Sequence, residues 1–264
     1  MKRLLITGAS GGLGSVCRKR LGHLAEILRV SSRSDLGHAA TNEEISYCDL
    51  ADKRAVENLV EGCDGIVHMG GQSLEAAWEV IRNSNIEGVF NLYEAARKKG
   101  RPRIVMASSN HAIGFHSPTE RLDANSPTRP DSLYGVSKVF GEALASLYYD
   151  KFGIETACIR IGSCFPEPRN HRMLSTWMSY DDFIRLIERI FAVPKLGCPI
   201  IYGVSNNDSA WWDNREVAYL GWKPKDNAER FRPKINAKMA RPTTSDADSK
   251  FQGGAFAADE IHES

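Results

Sequence analysis

The chain has no uninterrupted apolar stretch of the about 18 residues that a membrane-spanning helix needs, no long run of one charge, no CxxC pair and no internal repeat or low-complexity linker. Each absence removes a class. Nothing predicts a membrane protein, and a net charge of +1 with a pI of about 7.6 gives no electrostatic reason to expect nucleic acid or an anionic surface as partner. The cysteines at positions 17, 48, 63, 158, 164 and 198 are scattered without paired spacing, which argues against a disulfide framework and a zinc site and predicts reduced core residues. The first residues run directly into a strand-like segment, so the expectation is a soluble cytoplasmic protein without a metal. What is present is 264 residues at 42% hydrophobic content, enough for one large α/β domain whose partner is a small molecule.

Leu4, Leu5 and Ile6 form a short apolar run that stops at a glycine-rich stretch, after which Val16, Leu21 and Leu24 recur as the buried stripe of a helix. In a strand, glycine turn and helix, backbone N–H groups at the helix start cradle a pyrophosphate, and glycine lets that backbone come close. Gly8, Ser10, Gly11, Gly12, Leu13 and Gly14 are therefore the expected dinucleotide-binding turn, although the spacing is GxxGxxG rather than GxGxxG. A second strand, 27–30, ends at Ser31, Ser32 and Arg33, where an acid would hold the adenosine ribose. No acid is there. Serine bonds a hydroxyl and repels nothing, and Arg33 can pair with a phosphate, so these residues alone lean towards NADP. A third strand over 45–50 closes on Asp49 and Leu50, with Asp49 either holding the adenine edge or capping the helix that starts near Lys53. The fourth, 65–69, ends at Met69, followed by Gly70 and Gly71, which let backbone pass beside a cofactor, and by Ser73 in a loop where a substrate has room. Asn85 opens a crossover helix over 85–96 and counts among the expected cofactor contacts.

A fifth strand, 103–107, delivers Ser108, Ser109, Asn110 and His111 at its carboxyl end, the side on which open α/β sheets bind ligands. Ser108 has a second reading as a polar loop start. Downstream, Tyr134 and Lys138 put a phenol and an ammonium one helical turn apart. A tyrosine with a pKa near ~10 is a poor base at neutral pH; an ammonium about 5 Å away, at an effective dielectric of about 20, favours its anion by roughly 3 kcal/mol. Lys138 is thus expected to make Tyr134 a competent proton acceptor. The pattern is short and common, and it gains meaning from the glycine turn and the Ser-Ser pair upstream. A sixth strand over 156–161 leads to Ser163 and Arg172 in an irregular stretch on the same sheet edge. An amphipathic helix, a strand around 200–203 and a polar, extended tail pinned by Phe251 and Phe256 complete the chain.

With Gly8, Gly11, Gly14, Ser109, Tyr134 and Lys138, the chain resembles the extended short-chain dehydrogenase/reductases. More specific stretches at 107–111, 160–164, 172–177, 211–214, 222–227 and 251–254 make it similar, over essentially its whole length, to their bacterial uronate dehydrogenase branch. The alternation of elements and the resemblance together predict a Rossmann-type doubly wound parallel α/β sheet with a small C-terminal substrate-binding region. The chain is then one domain, 1–264, in which 1–160 mainly binds the dinucleotide and 161–264 mainly caps the substrate and forms the tail. The resemblance implies oxidation of D-glucuronate or D-galacturonate at C1 to the aldarolactone, with NAD as preferred cofactor and NADP tolerated. It implies Ser109, Tyr134 and Lys138 as catalytic triad, with Tyr134 and Lys138 also touching the cofactor, and Ser73, Ser109, Asn110, His111, Tyr134, Ser163 and Arg172 around the sugar acid. A planar guanidinium such as that of Arg172 matches a carboxylate bidentately. Further copies of the chain are expected as partners. Two rival readings share much of this pattern: a nucleotide-sugar epimerase or dehydratase, usually longer at its C-terminus, and a non-catalytic dinucleotide-sensing module, which commonly lacks the Tyr/Lys pair.

Overall fold

Short segments rich in Leu, Ile and Val that are covered on both faces become parallel strands. In the computed structural model, which describes residues 1–262, these are β1 (Arg3–Thr7), β2 (Ile27–Ser32), β3 (Glu43–Tyr47), β4 (Gly65–His68), β5 (Arg103–Ser109), β6 (Thr156–Ile161) and, beyond a two-residue ladder of β7 (Ser163–Cys164) and β8 (Trp177–Met178), β9 (Ile200–Gly203). The sheet order is β3-β2-β1-β4-β5-β6-β9, parallel throughout. Strand order therefore reverses between β1 and β4, and a crevice opens beyond their carboxyl ends.

The connections are α1 (Gly12–Arg20), α2 (Lys53–Val60), a short α3 (Trp78–Ile81) that runs through a π-helical turn (Arg82–Glu87) into α4 (Gly88–Lys98), and α5 (Leu133–Phe152); then α6 (Met173–Thr176), α7 (Tyr180–Ala192), α8 (Arg232–Lys238) and α9 (Ala247–Lys250). The period-two alternation of β1 sorts them. Leu4 and Ile6 pack with Cys17 of α1, Leu21 just after it, and Phe183 and Ile187 of α7, whereas Leu5 packs with Val56 of α2, Leu92 of α4 and Ala145 of α5. The helix starts are capped by short polar side chains: Asp52 accepts from the Arg54 and Ala55 amides, Ser132 from Gly135, and Ser179 from Asp182. α5 closes on Gly153 in the left-handed conformation, and at its other end Tyr134 and Lys138 lie in the first two turns, tied to β5 by the bond from Lys138 to the Ala107 carbonyl.

Three expectations are corrected. Asp49 does not cap α2, because Asp52 does; Asp49 instead accepts from the Ala51 amide. The helix expected over 85–96 begins as a π turn with Asn85 buried in it. The C-terminal segment is not extended: α9 and a 3₁₀ turn (Gly254–Ala258) fold it back onto the body, and the last two positions of the expected tail lie outside the described residues. No helix among the described residues is long and apolar enough to cross a membrane.

Candidate active site

A cleft of about 790 Å³ runs along the carboxyl ends of the strands, from the turn after β2 to the segment after α9. At its first end, Gly8 has φ +66°, and a Cβ there would lie 2.7 Å from the Gly70 backbone; a Cβ on Gly14 would lie 2.0 Å from the Gly8 carbonyl oxygen. The two loops and α1 therefore meet only because these positions are glycine. Gly12, in contrast, faces open space. Gly11 is the N-cap of α1 and offers no side chain to the first-turn amides, and that turn carries no acid, so its N–H groups suit a phosphate. Thr7 Oγ1 accepts from the Gly70 amide at 3.1 Å and meets His68 Nδ1 at 2.8 Å, fixing the loop from beneath.

Ser10, Leu13, Ser32, Arg33, Asp49, Leu50, Met69 and Gly71 line the same end. The Ser10 and Ser32 hydroxyls are 2.6 Å apart, and Ser32 Oγ accepts from the Ser34 amide at 3.0 Å. Asn85 does not line the cleft. Its Oδ1 accepts from the Gln72 amide at 2.8 Å, while Nδ2 donates to the Gln72 carbonyl at 3.0 Å and to Ser137 Oγ at 2.9 Å. These bonds make it a support of the Gly71 loop, set behind the cleft wall that the other expected cofactor contacts line.

Ser109, Asn110, His111, Tyr134 and Lys138 converge in the middle of the cleft. Lys138 Nζ lies 5.2 Å from the centroid of the Tyr134 ring and donates to the Ala107 carbonyl at 3.0 Å. Ser108, adjacent in sequence, takes the structural part of its two readings: its hydroxyl donates to Glu142 Oε1 at 2.5 Å, within a buried cluster in which Arg160 binds both Glu142 oxygens at 2.9 and 2.8 Å.

At the far end, Arg172 donates through Nε (2.7 Å) and one terminal nitrogen (2.5 Å) to the Gln252 carbonyl. Asn110, with its amide oxygen turned to that guanidinium, accepts from it at 2.7 Å and donates to the Ile161 carbonyl at 3.1 Å. Ser163 shares a 2.9 Å hydrogen bond with Thr176, and Ser73 is exposed at the rim; both line the cleft. A family model described as the NAD dependent epimerase/dehydratase family matches residues 4–180, from β1 through the Tyr134 helix to the start of α7.

The chain belongs to that family.

Within the NAD dependent epimerase/dehydratase family, it is 59% identical to the uronate dehydrogenase of Agrobacterium fabrum across 97% of both chains. A crystal structure of uronate dehydrogenase from Agrobacterium tumefaciens, a tyrosine-to-alanine mutant complexed with NAD, superposes with a TM-score of 0.99 at 58% identity, covering 100% of each chain. A glucuronic acid dehydrogenase from Chromohalobacter salexigens gives 0.97 at 55% identity over 98% of each.

The electrostatics of the Tyr134 and Lys138 pair differ from the sequence expectation. Burial pushes the Tyr134 phenol up to about 12; the Ser109 hydroxyl pulls it down and the Asp131 carboxylate adds to the rise. Burial likewise pushes Lys138 down to about 8, against the opposing pull of Glu142. Desolvation, invisible in a four-residue spacing, outweighs the attraction estimated from it.

Residues in and behind the cleft wall that no local sequence pattern marks complete the site. Asp131 pairs with His111, Phe256 stacks on His111 with centroids 3.9 Å apart, and Asp248, Gly253 and Ala255 line the far wall. The one signal was the aromatic island at 251–256 in an otherwise polar tail. Gln252 anchors that island: its amide accepts from Trp212 Nε1 at 2.7 Å and donates to the Ser117 and Glu120 carbonyls at 3.0 and 2.9 Å.

Proposed function

We propose that this chain is an NAD-dependent dehydrogenase that oxidises a hexuronic acid, D-glucuronate or D-galacturonate, at C1 and releases the aldarolactone. The observation that carries the reading is that one cleft joins a dinucleotide-sized glycine cradle, a Ser109–Tyr134–Lys138 cluster and a half-buried arginine at its far end. A cofactor fits the residues present: the Gly8–Gly70 approach and the uncapped start of α1 suit a pyrophosphate. Bound NAD supplies the hydride acceptor. As the C1 hydrogen leaves with its electron pair, the C1 hydroxyl proton passes to Tyr134, Ser109 holds the same oxygen, and C1 becomes the lactone carbonyl. Arg172 holds the carboxylate, while Ser73, Asn110, His111 and Ser163 bond the hydroxyls. Glucuronate deuterated at C1 tests the step: the label should appear in the reduced nicotinamide, and its retention in the sugar would contradict hydride transfer from C1.

The proposed division of labour, 1–160 for the dinucleotide and 161–264 for the substrate cap, is supported by the positions of Ser163, Arg172 and Phe256 at the far end of the cleft. A homo-oligomer belongs to the same proposal, supported by exposed Phe90 on α4 and Val136 and Leu147 on α5, each at least 40% accessible. A cytoplasmic location fits cysteines that are all free.

Two predictions arise from the cleft. Lys138, pushed down to about 8, loses its proton near that pH while Tyr134, pushed up to about 12, keeps its own, and passing that proton to the lysine would give phenolate with ammonium. Raising the pH therefore favours the form that can accept a proton. Oxidation should accelerate about tenfold per pH unit below 8 and level off above it, whereas Lys138→Arg, which does not deprotonate, should move the limb to higher pH. A flat kcat/KM profile between pH 6 and 9 would count against the pair.

The second prediction concerns Ser32. A carboxylate there would repel a 2′-phosphate by several kcal/mol, on the order of several hundredfold. The Ser10–Ser32 hydroxyl pair supplies no such repulsion, and Arg33 is exposed on the same wall. The expected outcome is a kcat/KM that favours NAD over NADP by less than that factor, with Ser32→Asp widening the gap. Measuring both cofactors in both proteins decides it, and a wild-type preference for NADP would contradict it.

A further inference from the structure

Asp131 stands two residues before α5, and its carboxylate is wholly enclosed, with 0% of the side chain accessible. Two glycines make the enclosure possible. A Cβ on Gly114 would fall 1.8 Å from Asp131 Oδ2 and one on Gly253 1.7 Å from it, so any side chain at either position displaces the carboxylate or the segment carrying it. Gly114 follows β5 and Gly253 comes from the C-terminal segment, and the two are joined by the Gly253 amide donating to the Gly114 carbonyl at 2.8 Å. The folded-back tail is therefore what seals the carboxylate from water.

Into this enclosure points His111 Nδ1, 2.9 Å from Oδ2 and 3.1 Å from Oδ1, while Ser132 donates to Oδ1 at 3.0 Å. The ring is held on its other sides as well: Phe256 stacks on it at 3.9 Å and 25°, and Tyr134 meets it edge-on at 5.8 Å. An ionised carboxylate only accepts hydrogen bonds, so Nδ1 carries a proton, and in the neutral imidazole Nε2 then offers a lone pair.

We propose that Asp131 is a positioning residue of this site, which holds His111 as the Nδ1–H tautomer so that Nε2 accepts a hydrogen bond from a sugar hydroxyl, leaving the sugar's carboxylate to Arg172. The proposal rests on the uronate reading for the identity of the sugar and on geometry for the tautomer. An Nε2–H tautomer would instead donate, and would compete with Arg172 for the carboxylate.

The test begins with nitrogen NMR of the wild-type protein with labelled histidine, without substrate, at a pH where His111 is neutral. The expected His111 signals are a protonated Nδ1 and an unprotonated Nε2; the opposite pattern overturns the proposal. Asp131→Asn keeps the size of the side chain between the two glycines but presents either a donor or an acceptor. It should populate both tautomers, raise KM for glucuronate about tenfold, the scale of one hydrogen bond, and leave NAD affinity within about threefold. An unchanged KM in a variant that has lost the tautomer overturns the proposal. Should Asp131→Asn fail to fold, Gly253→Ala carries the kinetic arm: its Cβ collides with the carboxylate, so the same rise in KM is expected, and wild-type KM contradicts the proposal. Inactivity of the wild type towards uronates would sink the functional reading alone, because the tautomer is read without substrate.

Discussion

Tyr134→Phe is expected to lower kcat with NAD and glucuronate by at least about a thousandfold while leaving the dissociation constant of NAD within about threefold. The size follows from the part the hydroxyl plays. A thousandfold corresponds to about 4 kcal/mol of transition-state stabilisation, which is the loss of a positioned proton acceptor rather than of packing. The ring itself stays: Tyr134 is 8% accessible, in edge contact with His111 and tilted against Phe256 at 6.3 Å, and phenylalanine preserves those contacts. Folding and cofactor binding are therefore expected to survive, and single-turnover measurements would place the loss in the chemical step. A variant that kept more than about a tenth of wild-type kcat would mean that another group takes the proton.

Arg172→Met is expected to raise KM for glucuronate about a hundredfold or more, the scale of a charge-assisted contact of about 3 kcal/mol. Arg172 is half-buried, and the desolvation of its guanidinium opposes the charge, with Asp248 and Asp131 as the nearby charges favouring it. It also holds the Gln252 carbonyl, so a carboxylate either displaces that carbonyl or approaches by the remaining nitrogen. Because the substitution also loosens the tail, KM alone does not isolate the charge. The ratio of kcat/KM for glucuronate over glucose does: it should collapse in the variant, and its survival would place carboxylate recognition elsewhere in the cleft.

Local patterns carried much of the fold into the sequence reading. The strand, glycine turn and helix from Leu4 to Arg20, the apolar strands that follow and the Tyr134–Lys138 helix obey short-range rules of period and capping, and each lies where those rules put it. What was not legible depends on distance along the chain. Gln252 reaches back to Ser117 across 135 residues, and no periodicity announces such a contact. The expectation of an extended tail failed there, because its segment is polar in composition yet is held by backbone pairing to Gly114 and by aromatic stacking. Asn85 looked like a helix start; its amide bridges Gln72 and Ser137, a partner 52 residues away. The Tyr134 electrostatics failed for a different reason: spacing gives the distance between two charges, but only the fold gives their desolvation.

The proposed reaction is the oxidation of a free sugar acid by NAD in this cleft. It is tested most directly by mixing the protein with NAD and glucuronate and following the near-ultraviolet absorbance of NADH. Growth of that signal is expected until the uronate is consumed, with galacturonate also turned over and glucose nearly inert. Silence with both uronates, together with conversion of a UDP-sugar, would contradict it and assign the chain to the nucleotide-sugar chemistry of its wider family.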